Sequence, residues 1–124
     1  LVKGDAAGNT SVSFEGSIGV VTGGDLLKPS EYTENCAFSL DGGLSWKLAS
    51  EPKTAGAFYG TTLTILEEDY YAFVCGPNGI DYTADLGQSW QNLDTLNYWA
   101  IEMDGAEGYA AGRNGRILKI SLQP

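Results

Sequence analysis

Histidine is missing from all 124 residues. Its absence excludes Ser-His-Asp and Cys-His catalysis and most zinc sites, which need an imidazole as base or ligand. Cysteine is scarce, with only Cys36 and Cys75. They allow at most one disulfide, and their apolar, strand-like surroundings favour buried free thiols over a bridge. Positive charge is thin as well: 7 Lys and Arg against 16 Asp and Glu leave a formal net charge of −9. A nucleic-acid partner is not expected, because such binding draws on clustered cations. An anionic membrane surface is disfavoured for the same reason. No apolar run approaches a transmembrane span, so membrane insertion is not expected. No stretch sustains a 3.6-residue apolar stripe, which argues against helices.

What is present points to strands. The chain is 43% hydrophobic with 17 glycines, 7 tyrosines, 3 tryptophans and 4 phenylalanines, and aromatics of this abundance suit a pleated, half-buried surface. The stretch Ser39-Leu40-Asp41-Gly42-Gly43-Leu44-Ser45-Trp46 has a second copy in Thr83-Ala84-Asp85-Leu86-Gly87-Gln88-Ser89-Trp90, 44 residues further on. A carboxylate repeated at that interval suits a turn better than a catalytic site. Asp41 and Asp85 accept from the backbone of their own turn. Gly43 and Gly87 tolerate positive φ. Ser39 and Thr83 add a hydroxyl bond. Trp46 and Trp90 are expected to be buried beneath the turn, each indole N–H on a carbonyl.

Three further segments align. Gly19–Gly24, Ala72–Gly79 and Tyr109–Gly115 each run from an apolar strand into a glycine turn, the last two through Gly-x-Asn-Gly, where Asn-Gly supplies the positive φ of a hairpin. Strands at Cys36–Leu40, Ile80–Ala84 and Arg116–Ile120 follow these turns. Trp-bearing strands come next at Ser45–Ala49 and Ser89–Leu93. Candidate first strands lie at Ser11–Glu15, Thr61–Leu66 and Tyr98–Met103. The expected fold is all-β: four-stranded antiparallel blades of a β-propeller, whose usual repeat is about 40–45 residues. The blades are expected at about 11–50 and 58–93, with an incomplete third at about 98–121, all within one partial propeller over 1–124.

Ser/Thr-x-Asp-x-Gly-x-Ser/Thr-Trp resembles the Asp box of the BNR repeat found in sialidases and many secreted propellers. The larger pattern, from apolar strand through Gly-x-Asn-Gly to Asp box, is similar to the photosystem II stability/assembly-factor-like propellers. The resemblance implies export, secreted or periplasmic. Sialidases resemble one another in using three arginines, a tyrosine with a glutamate, and an aspartic acid. This chain offers only Arg113 and Arg116, three positions apart, so catalysis within it alone is not expected.

At 44 residues per repeat the chain holds about three blades, whereas propellers close with about 4–8. The rest of the ring is expected either from another chain segment or from copies of the chain itself. Propeller geometry puts the loops between second and third strands, and those between blades, on one face. Resemblance to known propellers implies that ligands gather there, and Asp25, Lys28, Asn78, Trp99, Arg113 and Asn114 are the candidates. Arg113 is either a grip for a carboxylate or a surface cation paired with an acid. Trp99 either lines the channel or packs in the core. The long loop Gly24–Asn35 is either a tailored surface or a solvated insertion. Its acids lack an ordered calcium spacing, so neither metal nor cofactor is assigned. The leading functional expectation is a non-catalytic propeller module that binds a protein or a carbohydrate (a glycan). A C-terminal portion of a sialidase-like glycoside hydrolase and a self-assembling propeller fragment are the alternatives.

Overall fold

The computed structural model describes residues 1–123; Pro124, the end of the expected 1–124 unit, lies outside the described residues. Blade 1 contains β1 (Ala7–Glu15), β2 (Ile18–Asp25), β3 (Cys36–Ser39) and β4 (Lys47–Leu48). Blade 2 contains β5 (Gly60–Leu66), β6 (Asp69–Gly76), β7 (Gly79–Thr83) and β8 (Gln91–Asp94). Blade 3 contains β9 (Tyr98–Asp104), β10 (Glu107–Gly112) and β11 (Ile117–Ser121). Each sheet is an antiparallel meander in chain order. The first strands β1, β5 and β9 lie side by side at the inner edge. This is the wedge arrangement of propeller blades.

The alternation of side chains along a strand explains how the wedges pack. In β6, Ala72 and Val74 face blade 1, while Phe73 and Cys75 face blade 3. Both faces are buried, so the strand reads as a continuous apolar run. Val20, Cys36 and Phe38 meet Leu63, Val74 and Trp90 in one core. Phe73, Cys75 and Ile80 meet Tyr98, Met103 and Ile120 in a second. Each large side chain so buried contributes about 1.5–3 kcal/mol.

The inner edges need a second device, because the outermost backbone amides of an edge strand have no ladder partner. The preceding blade supplies one. Thr61 and Leu63 donate their amides to the hydroxyls of Ser11 and Ser13, at 3.2 and 3.1 Å. At the next seam the Met103 amide donates to Thr62 Oγ1 at 3.1 Å.

Each blade also has one glycine where its second strand passes beneath the chain entering its first. An added Cβ at Gly23, Gly76 or Gly112 would collide with the carbonyl of Gly8, Ala57 or Asn97 respectively. Equivalent positions thus share one steric demand.

Some expectations are corrected. β1 starts at Ala7, four residues before the expected Ser11, because a bulge between Asn9 and Ser11 lets the chain keep pairing with the long β2. β4 shrinks to two residues, since Ser45 is used by the turn before it. Asn78 lacks the positive φ expected of its Asn-Gly pair; only Gly79 has it, at 148°. In blade 3 both Asn114 and Gly115 are positive, at 61° and 73°, within a short 3-10 turn Arg113–Gly115. Both cysteines are free and buried.

Gly76→Ala is expected to cost about 1–3 kcal/mol, because a backbone carbonyl cannot yield to the new methyl. Gly8→Ala, with nothing within 4 Å of its added Cβ, serves as the control and should stay within about 0.5 kcal/mol. Urea unfolding of the two variants makes the comparison.

Candidate functional site

The two Asp boxes have the same bonds. In the first, Ser39 Oγ donates to Asp41 Oδ1 at 2.9 Å and accepts from the Gly43 amide at 2.9 Å. The Ser45 amide donates to Asp41 Oδ1 at 2.9 Å and its hydroxyl to Oδ2 at 2.6 Å. In the second, Thr83 Oγ1 donates to Asp85 Oδ1 at 2.7 Å and accepts from the Gly87 amide at 3.0 Å. Ser89 donates amide and hydroxyl to Asp85 at 2.9 and 2.5 Å. Both oxygens of each carboxylate accept bonds from within the turn. Donation by Ser45 holds the Asp41 carboxyl at about 2, below its ordinary value; Ser89 lowers Asp85 in the same way. Ser45 and Ser89, the second hydroxyl positions of the motif, thus close the boxes.

The tryptophans differ. Trp90 is buried in the first seam beside Phe38, and its indole donates to Ser50 O at 2.9 Å. Trp46 is 40% exposed, contrary to expectation. It lies on the open flank of blade 1, edge-on to Phe14, with its indole on Gly43 O at 3.1 Å. No blade stands beside that flank among the described residues.

The opposite end of the sheets carries the loop face. The Gly24–Asn35 loop is folded down rather than projecting. The Gly56 amide donates to Glu31 O at 3.0 Å, and Asn35 Nδ2 donates to Gly56 O at 2.7 Å. Asn78 Nδ2 donates to Pro29 O at 2.5 Å and Ala55 O at 3.2 Å. Asn78, a candidate for ligand contact, therefore spends its donors joining three loops. Asp25 accepts from the Leu27 amide at 3.0 Å, capping its own turn. The loop joins blade 1 to blade 2 as a strap.

Beneath it, Asp81 is fully buried. Its carboxylate accepts from the Thr54 amide and hydroxyl at 2.8 and 2.7 Å and from Asn92 Nδ2 at 3.0 Å. The only sequence signal was its place in the alternation of β7, on the face turned to blade 1.

The next inter-blade loop is fixed by Asp94, which the sequence did not single out, together with Tyr98 and Arg116. Asp94 accepts from the Leu96 amide at 3.0 Å and the Tyr98 hydroxyl at 2.8 Å. Arg116 donates to Asn97 O at 3.0 Å and stacks over the Tyr98 ring at 5.6 Å. Burial first, then the bond to Asp94, raises the Tyr98 phenol.

Against this rigid ground, Trp99 is 55% exposed, and Lys28, Arg113 and Asn114 are exposed. Pairing of Gly112 with Tyr98 brings Arg113 and Asn114 to the same end of blade 3 as Trp99. Trp99 and Tyr59 hold equivalent places, each just before the inner-strand residue that pairs across to the second strand, Ala100 with Ala111 and Gly60 with Cys75. Lys28 and Asp25 belong to blade 1 and are not joined to that group by any recorded bond. Arg113 makes no ion pair among the described residues, where the pair recorded is Lys119–Glu107 at 3.7 Å. No group of three or more His, Cys, Asp or Glu among the described residues could hold a metal ion.

An all-β set of blades with this geometry is a partial β-propeller. Among solved structures it is similar to YCF48 bound to a D1 peptide, with a TM-score of 0.65 at 18% sequence identity. The match takes in 94% of this chain and 38% of that one, so the chain spans well under half the length of that protein. Similarity to the photosystem II assembly-factor-like propellers thus holds at the level of fold. No family model matches the sequence, and no curated protein does.

Two outcomes follow for the boxes. Trp90→Ala should cost about 3–5 kcal/mol and Trp46→Ala distinctly less, as thermal unfolding would report. Because both box carboxyls titrate lower in the folded state, the stability they add is complete above the unfolded value of about 4 and is lost as pH falls towards 2. The double variant Asp41→Asn, Asp85→Asn should show a shallower fall in urea midpoint across that window than the parent.

Proposed function

We propose that the chain is a non-catalytic propeller module that binds a protein segment on its loop face. The observation that carries this reading is the division of labour at the end of blade 3. Asp94, Tyr98 and Arg116 are committed to holding the loop, while Trp99 and Arg113 stand exposed and uncommitted beside it. Tryptophan and arginine are among the residue types in which the energetic hot spots of interfaces are enriched. Arg113 would hold a carboxylate, and Trp99 would cover an apolar side chain. The solved structure of YCF48 with a D1 peptide gives a precedent for a peptide on a propeller of similar fold.

The same Trp99 ring suits stacking on a sugar, so a glycan ligand is the second reading. The sialidase-like alternative is weakened because Arg116 is engaged with Asn97 and Tyr98, which leaves Arg113 as the single arginine open to a substrate. Export to the periplasm or beyond belongs to the proposal too, and cell fractionation checks it.

Panning a random-peptide library on the purified protein tests the reading. Peptides with a carboxylate beside an apolar residue should be enriched, and Trp99→Ala or Arg113→Glu should each weaken binding by about tenfold or more, a loss of about 1.4 kcal/mol. Turnover of a sialoside by the purified chain, or glycan-array binding with no peptide enriched, would overturn it.

A further inference from the structure

Of the six asparagines in the chain, Asn78 and Asn114 are the two followed by glycine. An Asn-Gly pair carries its own chemistry. The glycine nitrogen can attack the carboxamide carbon of the asparagine, because the glycine has no Cβ to obstruct the approach. A folded chain permits this where the carboxamide can turn and the glycine amide is not held in a ladder.

Neither condition is met at the first pair. Asn78 Nδ2 donates to Pro29 O and to Ala55 O. Gly79 is buried and pairs with Gly76 across the hairpin. An added Cβ on Gly79 would collide with the carbonyl of Asp94, so the backbone there has no room to shift. The second pair is the reverse case. Arg113, Asn114 and Gly115 are all exposed. Among the described residues, no hydrogen bond is recorded for the Asn114 carboxamide or the Gly115 amide. Nothing lies within 4 Å of a Cβ built on Gly115. The turn is closed by the Arg116 amide donating to Arg113 O at 3.2 Å, and a short exposed turn of this kind opens locally at little cost.

We propose that Asn114 is a site of spontaneous deamidation, and that the charge it gains competes with ligand for Arg113. The Gly115 nitrogen bonds to Asn114 Cγ and gives up its proton, and the carboxamide nitrogen leaves as ammonia. Water then opens the cyclic imide. Cleavage at the side-chain carbonyl gives aspartate, and cleavage at the main-chain carbonyl gives isoaspartate. Either way a neutral amide becomes a carboxylate, one residue from the exposed guanidinium. A charge placed there acts as any charge-changing modification does, by pairing with the cation beside it. Arg116 cannot take over the grip, since it is committed to Asn97 O and the Tyr98 ring. The modification stands on the local geometry alone, while its effect on binding rests on the part given to Arg113 in the proposed loop-face site.

Incubation of the whole chain at mildly alkaline pH, followed by peptide mass mapping, tests the site. In the folded protein Asn114 should convert at least about tenfold faster than Asn78, and in concentrated urea the two should convert at similar rates. The consequence is read without a ligand, through the reaction of Arg113 with phenylglyoxal. In the Asn114→Asp protein that reaction should be about two- to fivefold slower than in the parent, as an exposed ion pair allows. This readout keeps its meaning if no peptide binds the loop face. An Asn114 that stays an amide in the folded protein, or an Asn78 that converts as fast, would overturn the site. Equal reactivity of Arg113 in the two proteins would overturn the effect assigned to it.

Discussion

An innermost strand has a neighbour on one side only, and its remaining amides must be satisfied by something other than its own sheet. Here the preceding blade does it with short hydroxyl side chains. Ser13 reaches the Leu63 amide and Thr62 reaches the Met103 amide, at 3.1 Å in each case. The same atom of Thr62 also donates to Glu102 at 3.4 Å. Apolar cores hold the wedges face to face, but they are non-directional. The hydroxyl bonds fix the register at which one inner strand sits beside the next. The height of every loop above the sheets follows from that register.

The loop face is consequently rigid for reasons set at several levels. Gly76 and Gly112, at the ends of β6 and β10, let the inter-blade chain pass close overhead. Asp81 and Asn78 then tie down the first such loop, and Asp94 and Arg116 the second. Trp99 and Arg113 stand exposed outside this network, which is why a binding role is proposed for them and a supporting role for their neighbours.

The fold was readable because a repeat exposes its own logic. Two Asp boxes at one spacing, with glycine turns between, give strand order and blade size without any contact being known. The site was less readable. Asn78 and Asp25 were sound choices by loop position, yet their side chains are spent on local carbonyls and amides, and sequence spacing does not reveal which bonds a loop makes with a distant loop. Asp81 was hidden because a carboxylate in an apolar alternation looks like an exception until its three donors, contributed by Thr54 and Asn92, are seen. Trp46 and Trp90 are identical in motif and different in burial, since a motif cannot say whether a neighbouring sheet stands beside it.

The cysteines occupy separate cores, Cys36 between the first two blades and Cys75 between the last two. Burial raises both thiols, Cys75 to about 12, so neither is reactive while its own seam is shut. Alkylation at either sulfur would then time the parting of a different pair of blades. The molecule carries two internal clocks, one for each joint.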